Sequence, residues 1–319
     1  MSATTVDSSA SHIDLWAAPS RLRSLVEGGV WVFLLFCAMI SVLTTAGIIT
    51  VLGVESFHFF RTSGVGLLDF LTGTELRPDA SPPRFGILPL VWGTFLVAAG
   101  SSLVALPIGL LSAIYLSEYA PRRVRGVLKP ALELLAGIPS IVYGYLALLL
   151  VTPALKAVLE PLGFHVETFN ALSACIVVGV MIIPMVSSLS EDVLSAVPRA
   201  LREAGYALGA TKFEVSTRVV LPAALSGVVA SFILAVSRAI GETMAVVLAA
   251  GMRPQVVLNP LTSVETMTAY IVAVFGGEAS YGSPEYLSLF AVGMSLFVIT
   301  LTLNILSGLV LRRYREVYQ

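Results

Sequence analysis

Two charged residues four positions apart sit where a charge is hardest to accommodate. In the run SRAIGETMAVVLAAG, Ser237 to Gly251, Arg238 and Glu242 interrupt a stretch dominated by Ala, Val and Leu. If that stretch is helical, the spacing places both on one face. At mid-bilayer each charge costs about 2.5–3.5 kcal/mol on insertion scales, so such residues face a bundle interior or a wet path and often mark ion pathways. The guanidinium is a planar fork that matches the oxygens of phosphate and of sulfate equally, so the chemistry is that of holding or passing an oxyanion. The competing reading is a structural ion pair that holds two membrane subunits together. A second polar group lies in ELLAGIPSIVYGY, Glu133 to Tyr145. On one membrane helix, Glu133, the Gly-x-Pro break at Gly137 and Pro139, Ser140 and Tyr143 would form a polar-lined bend, either a pathway wall or a packing kink. No catalytic residue and no metal site is expected. Cys37 and Cys175 both sit in apolar runs, which suits free buried thiols better than a disulfide or zinc ligands.

The elements that must position these residues follow from composition. Of 319 residues, 56% are hydrophobic and only 12% charged, whereas soluble domains carry roughly 25% charged residues. A net charge of −1 gives no electrostatic case for nucleic acid. Hydropathy predicts an all-α integral membrane protein with six spans, 29–54, 88–117, 131–154, 169–190, 222–251 and 287–311. The first run, about 25 residues, is too long for a signal-peptide core and is expected to remain as an anchor. The implied organisation is a tail over 1–28, a span over 29–54, an external loop over 55–87, a five-helix core over 88–311 and a tail over 312–319. The first twenty residues, rich in Ser, Ala and Thr, are expected to be disordered. Basic residues alternate between the two sides. One side holds 13 of the 19 Lys and Arg; the other holds 5, namely Arg61, Arg77, Arg84, Lys156 and Arg253. The positive-inside rule then places both termini in the cytoplasm.

One segment does not fit a simple return loop. REAGYALGATKFEVSTRVVLP, Arg202 to Pro222, is polar and Gly-punctuated between apolar runs. Pro198 suits a first helical turn. Leu201, Ala204, Gly205 and Leu208 then share one helix face. Gly209 is placed to end that helix in the left-handed conformation. Thr211 followed by Glu214 is a capping box that starts a second helix. The loop, about 191–222, therefore reads as a helix–hinge–helix knob that offers an apolar face to another chain.

The order Glu203-Ala204-Gly205, three residues, Gly209, nine residues, Val219, one residue, Leu221-Pro222 resembles the EAA loop of ABC importer permeases. Gly205 and Val219 depart from that signature, both conservatively in size. The resemblance implies a type I, MetI-like permease fold and a coupling helix that docks on an ATPase. The chain has no G-x-x-x-x-G-K-[ST] of its own. ELLAGIPSIVYGYLAL and SRAIGETMAVVLAAG, together with most of the chain from about residue 88, further resemble PstC-type permeases of phosphate-specific transporters. That likeness implies a PstA-type second permease, two PstB-type ATPase subunits and an external PstS-type phosphate-binding protein. It also implies that no cofactor is bound here, with ATP and Mg on the ATPase, and that the chain is a non-catalytic subunit of the inner membrane. Readings left open are a permease for another oxyanion such as sulfate or molybdate, a phosphate-status signalling scaffold, and a solo secondary transporter. The last leaves the EAA loop without a purpose.

Overall fold

The computed structural model describes residues 21–277 and 279–314. The predicted disordered tail through residue 20, and Arg315 with the rest of 315–319, lie outside the described residues. The chain divides into a first unit, Met1–Val51, and a second, Leu52–Gln319. In the first, the described part belongs to helix α1, Arg21–Ser63, and its apolar side chains such as Trp31, Phe33 and Leu43 are exposed. A helix that is apolar all round and uncovered is made for lipid or for another chain.

The second unit begins inside α1, which continues to Ser63. The segment 55–87, expected as an external loop, thus opens with the last turns of this helix. Phe59 and Phe60 give the extra turns something to bury against. Phe59 packs edge-on to Phe70 of α2 (Leu67–Thr72) at 5.8 Å and to Phe85 at 5.2 Å. Phe85 belongs to a two-stranded antiparallel hairpin, β1 (Leu76–Arg77) with β2 (Arg84–Phe85), in which Leu76 pairs with Phe85. This aromatic cap closes onto Ile87 and Leu90 at the start of α3, Leu88–Ile114.

The core is built on α3 and α7, Ala171–Ala196, the most closely packed helix pair. A Cβ on Gly179 would stand 2.8 Å from Cβ of Val104 and 3.0 Å from the Ser101 carbonyl oxygen, so only glycine allows this approach. Small residues at contacts are the usual way helices associate where lipid supplies no hydrophobic drive. Val97, Ala105, Val178 and Ile182 fill the seam together with Ala235 and Ala239 of α11, Leu225–Ile240. The hydroxyls of Ser190 and Ser231 join α7 to α11 at 2.7 Å.

Two expected spans are redrawn. The third does not run 131–154. Helix α4, Arg122–Ala136, ends before Pro139, and the apolar span is Ser140–Leu162. That span comprises α5 (Ser140–Leu146), a widened π turn, α6 (Thr152–Leu159) and a final tight turn. The residue before a proline is pushed out of the helical region, which makes Pro139 a boundary. Basic α4, with no buried residue, is left outside the span.

The fifth span, expected over 222–251, is broken twice. After α8 (Arg199–Ala207) and the short α9 (Lys212–Val215), a π turn leads into α10 (Leu221–Ala223). Lys212–Ala223 and Leu225–Ile240 meet at 73°. The second break separates α11 from α12, Met244–Ala250. The following segment is not all loop, because it contains the apolar helix α13, Met267–Gly276, before α14, Pro284–Tyr314. Among the described residues, five helices are long and apolar enough to cross a membrane, six with the bent pair counted as one.

Candidate functional site

Arg238 and Glu242 do not share a helix. Arg238 lies in the last turn of α11, and Glu242 falls in the unwound turn that follows. The helix tightens as it ends, with the amides of Gly241 and Glu242 donating to Ser237 and Ala239 carbonyls at 3.3 Å each. Glu242 then turns inward and is buried. Its Oε1 accepts the Ala245 amide at 3.3 Å, so the carboxylate caps α12. Its carbonyl accepts the Thr268 hydroxyl at 2.9 Å. Thr243 Oγ1 donates to the Gly241 carbonyl at 3.2 Å. Side chains thus take up backbone groups that the break would otherwise strand, as apolar surroundings require.

Arg238 points the other way. It is exposed, and its guanidinium has no hydrogen-bond or ion-pair partner among the described residues. The expectation that Arg238 and Glu242 share one helix face therefore does not hold, because the break leaves one group exposed and the other buried. What remains is a free cation beside exposed Gly241, on an open face of a discontinuous membrane helix.

The second polar group is split as well. Tyr143 is buried in the same hydrophobic cluster as Ala239, Ile240 and Ala245, and its hydroxyl donates to the Leu135 carbonyl at 3.1 Å. It thereby spans the Gly137–Pro139 corner. Ser140 opens α5 and is half-buried, whereas Glu133 is exposed on α4, outside the span. The structure does not place Glu133 on a membrane helix with Ser140 and Tyr143.

In the loop over 191–222 the local chemistry is as expected. Gly209 has φ +82, with nothing near a would-be Cβ, so backbone conformation alone demands glycine there. Thr211 and Glu214 form the capping box, with bonds of 3.3 and 2.9 Å. The predicted single apolar face divides, however. Leu201 and Gly205 turn inward, and a Cβ on Gly205 would lie 3.0 Å from Val215 and 3.7 Å from Val219. Ala204, Tyr206, Leu208 and Phe213 face out, Leu208 being 89% exposed. Glu203 lies on the same exposed helix, and Leu221 and Pro222 open α10.

A buried charge network that the sequence did not reveal anchors this loop. Arg202 Nη2 donates to Glu118 Oε1 at 2.9 Å and to the Leu194 carbonyl at 2.8 Å, and Nη1 to the Val197 carbonyl at 2.5 Å. One guanidinium therefore ties α8 to the π turn ending α3 (Tyr115–Tyr119) and to the end of α7. Beside it, Glu191 is fully buried and ion-paired with Arg125 and with Lys129, the latter at 2.7 Å. Ser195 Oγ adds a bond to Glu191 at 2.8 Å. Burial opposes the Lys129 ammonium, but its bonds to Asp192 and Glu191 outweigh this and raise its pKa above the ordinary lysine value. That pairing stabilises the fold below the ordinary value and is lost only as pH rises through the raised one.

Residues 105–316 match the family described as binding-protein-dependent transport system inner membrane component. The chain is 35% identical over 264 residues to the probable ABC transporter permease protein YqgH of Bacillus subtilis, covering 83% of this chain and 84% of that one. It is 36% identical over 262 residues to the phosphate transport system permease protein PstC of Xylella fastidiosa, covering 77% and 79%. With PstC of Haemophilus influenzae it shares 32% identity over 297 residues, 88% and 91% of the two chains. A bacterial ABC transporter that imports alginate superposes with TM-score 0.62 at 14% identity, over 93% of this chain and all of that one. The MetNI methionine ABC transporter gives 0.52 at 17%, over 72% and 98%. At such identities these two structures speak for the fold alone, a type I importer permease. Family membership implies an ATPase and a solute-binding protein as partners. With these matches over most of its length and a largely helical scaffold of apolar spans, the chain belongs to the family of multi-pass inner-membrane permease components of binding-protein-dependent ABC importers.

Proposed function

We propose that this chain is one of two permease subunits of an ATP-driven importer of inorganic phosphate. A PstA-type permease completes the pathway, two PstB-type ATPases bind ATP and Mg, and a PstS-type protein delivers phosphate from outside. The observation that carries this reading is Arg238, a guanidinium without a partner among the described residues, exposed at a break between two apolar helices. Arg238 supplies the fixed positive charge, and Glu242 holds the break open by capping α12. Tyr143 and Ser140 stiffen the neighbouring corner. Glu133, being off the span, acts outside the membrane-spanning part of the pathway. The likeness to PstC proteins favours phosphate, since the guanidinium accepts sulfate oxygens equally well. The test is ATP-dependent uptake by the reconstituted four-component complex, with labelled phosphate against labelled sulfate. Uptake of sulfate alone would overturn the assignment.

The proposed orientation has both termini in the cytoplasm, on the 13-to-5 basic asymmetry. In a Cys37→Ser background, single cysteines at Thr74 and Ser280, both exposed, label from outside with an impermeant thiol reagent. One at Thr211 does not. Outside labelling at Thr211 would invert the topology.

Glu203, Ala204, Gly205, Gly209, Val219, Leu221 and Pro222 form the coupling loop in this reading. Exposed Tyr206, Leu208 and Phe213 supply the surface that meets the ATPase. Gly209→Val forces a β-branched side chain into a left-handed backbone, a cost of about 1–2 kcal/mol that the loop escapes by shifting the hinge. The variant complex assembles but loses phosphate-stimulated ATP hydrolysis, as does Glu203→Lys through its altered charge at the dock. Wild-type stimulation in both would remove the coupling role.

A further inference from the structure

The segments proposed to lie outside carry nine acidic and five basic residues, so an oxyanion meets a repulsive surface over most of that face. One place is an exception. Lys156, from the end of the third span, and Arg253, from the segment after α12, converge on a single cavity of about 450 Å³. His165 lines it too, and Glu167 is the one carboxylate in its wall. That carboxylate is already engaged. Its Oε2 accepts the Ser263 amide at 2.8 Å and its Oε1 faces Arg253 Nη1 at 3.4 Å. Lys156 Nζ donates to the Thr168 hydroxyl at 3.2 Å and has no ion-pair partner among the described residues.

The walls are fixed by backbone. Glu167 donates to the Leu261 carbonyl at 3.0 Å, Ala171 to Thr262 at 3.0 Å and Leu172 to Pro260 at 2.7 Å, which staples the two outer segments together. Gly251, at φ +86, makes the fold-back possible. A Cβ there would stand 2.4 Å from Ser263 Oγ and 2.9 Å from Phe169 Cβ. Two cations from distant parts of the sequence are thus held in fixed relation, with room for an oxyanion and several waters.

We propose that this cavity is a receiving site for free inorganic phosphate at the outer mouth, bound by Lys156, Arg253 and His165 before the anion reaches Arg238. Charge-assisted bonds from two cations give affinity, and the open mouth keeps release fast. The proposal rests on the phosphate reading and on the orientation given above. Its occupant is a phosphate oxyanion, whose other source at this depth is an anionic lipid headgroup.

The test uses the nucleotide-free permease–ATPase complex in nanodiscs and the ³¹P linewidth of inorganic phosphate. Wild-type complex broadens the signal in phosphatidylcholine and in phosphatidylglycerol discs alike. Lys156→Gln combined with Arg253→Gln reduces the broadening at least about tenfold, as expected for loss of two charge-assisted bonds, while Arg238→Gln leaves most of it. Equal broadening in wild type and the double variant, or none in wild type, would overturn the site. Broadening that disappears only in phosphatidylglycerol discs would reassign it to a lipid headgroup. Wild-type uptake of labelled phosphate, measured in parallel, separates failure of this site from failure of the phosphate reading.

Discussion

Arg238→Gln is expected to reduce ATP-driven phosphate uptake about a hundredfold without lowering complex yield. At an effective dielectric near 20, one fixed charge lowers the barrier for an approaching anion by up to a few kcal/mol, and each 1.36 kcal/mol is tenfold in rate. Arg238→Lys keeps the charge but not the fork, and retains partial uptake. A structural ion pair would behave differently, because Arg238→Gln combined with Glu242→Gln would then restore transport. The structure predicts no rescue. Arg238 faces away from Glu242, whose carboxylate is committed to the Ala245 amide. Glu242→Gln keeps an acceptor for that amide and remains folded. Glu242→Ala removes it and loosens the break. Recovery of uptake in the double variant would sink the pathway role of Arg238.

The second large effect is expected at Glu191, and its sign depends on which partner is removed. Glu191 is fully buried, whereas Arg125 and Lys129 are 38% and 25% exposed. Removing both cations, as in Arg125→Met with Lys129→Met, strands a carboxylate away from water and costs about 3–5 kcal/mol. Glu191→Gln is milder, because both cations reach solvent. Adding Glu191→Leu to the cation double variant removes the stranded charge and recovers much of the loss. Asp192→Asn is nearly silent, since Asp192 is 59% exposed and exposed pairs contribute about 0–1 kcal/mol. Complex yield and the Tm of the purified complex report the ranking. Equal Tm values for the cation double variant and Asp192→Asn would remove the network's structural role.

What the sequence revealed was local chemistry. The helix–hinge–helix loop over 191–222 was readable because its determinants are neighbours: Gly209 must supply a positive φ, and Thr211 and Glu214 cap within three residues. The six apolar runs were readable for the same reason. The break after α11 was not, because Gly241 in an apolar run does not by itself stop a helix. The turn is held by Thr268, 26 residues further on. The charge network joins residues 62 to 84 positions apart, and no spacing rule connects them. The misplaced third span had a different cause. Pro139 was visible in the sequence but was read as a kink inside a helix, when the chain treats it as an end.

The turn over 241–243 carries a further meaning for the transport cycle. Its bonds come from Thr268, Glu242 and Thr243, so this chain's own side chains satisfy it. Winding that turn shut would extend α11 into α12 without a new nucleus, but it would have to break the Thr268 and Glu242 bonds that hold the turn. A passage with a permanent notch works as a valve seat. If the turn lines the pathway as proposed, these bonds favour a stroke in which α11 and α12 slide as solid pieces over one in which their backbone melts.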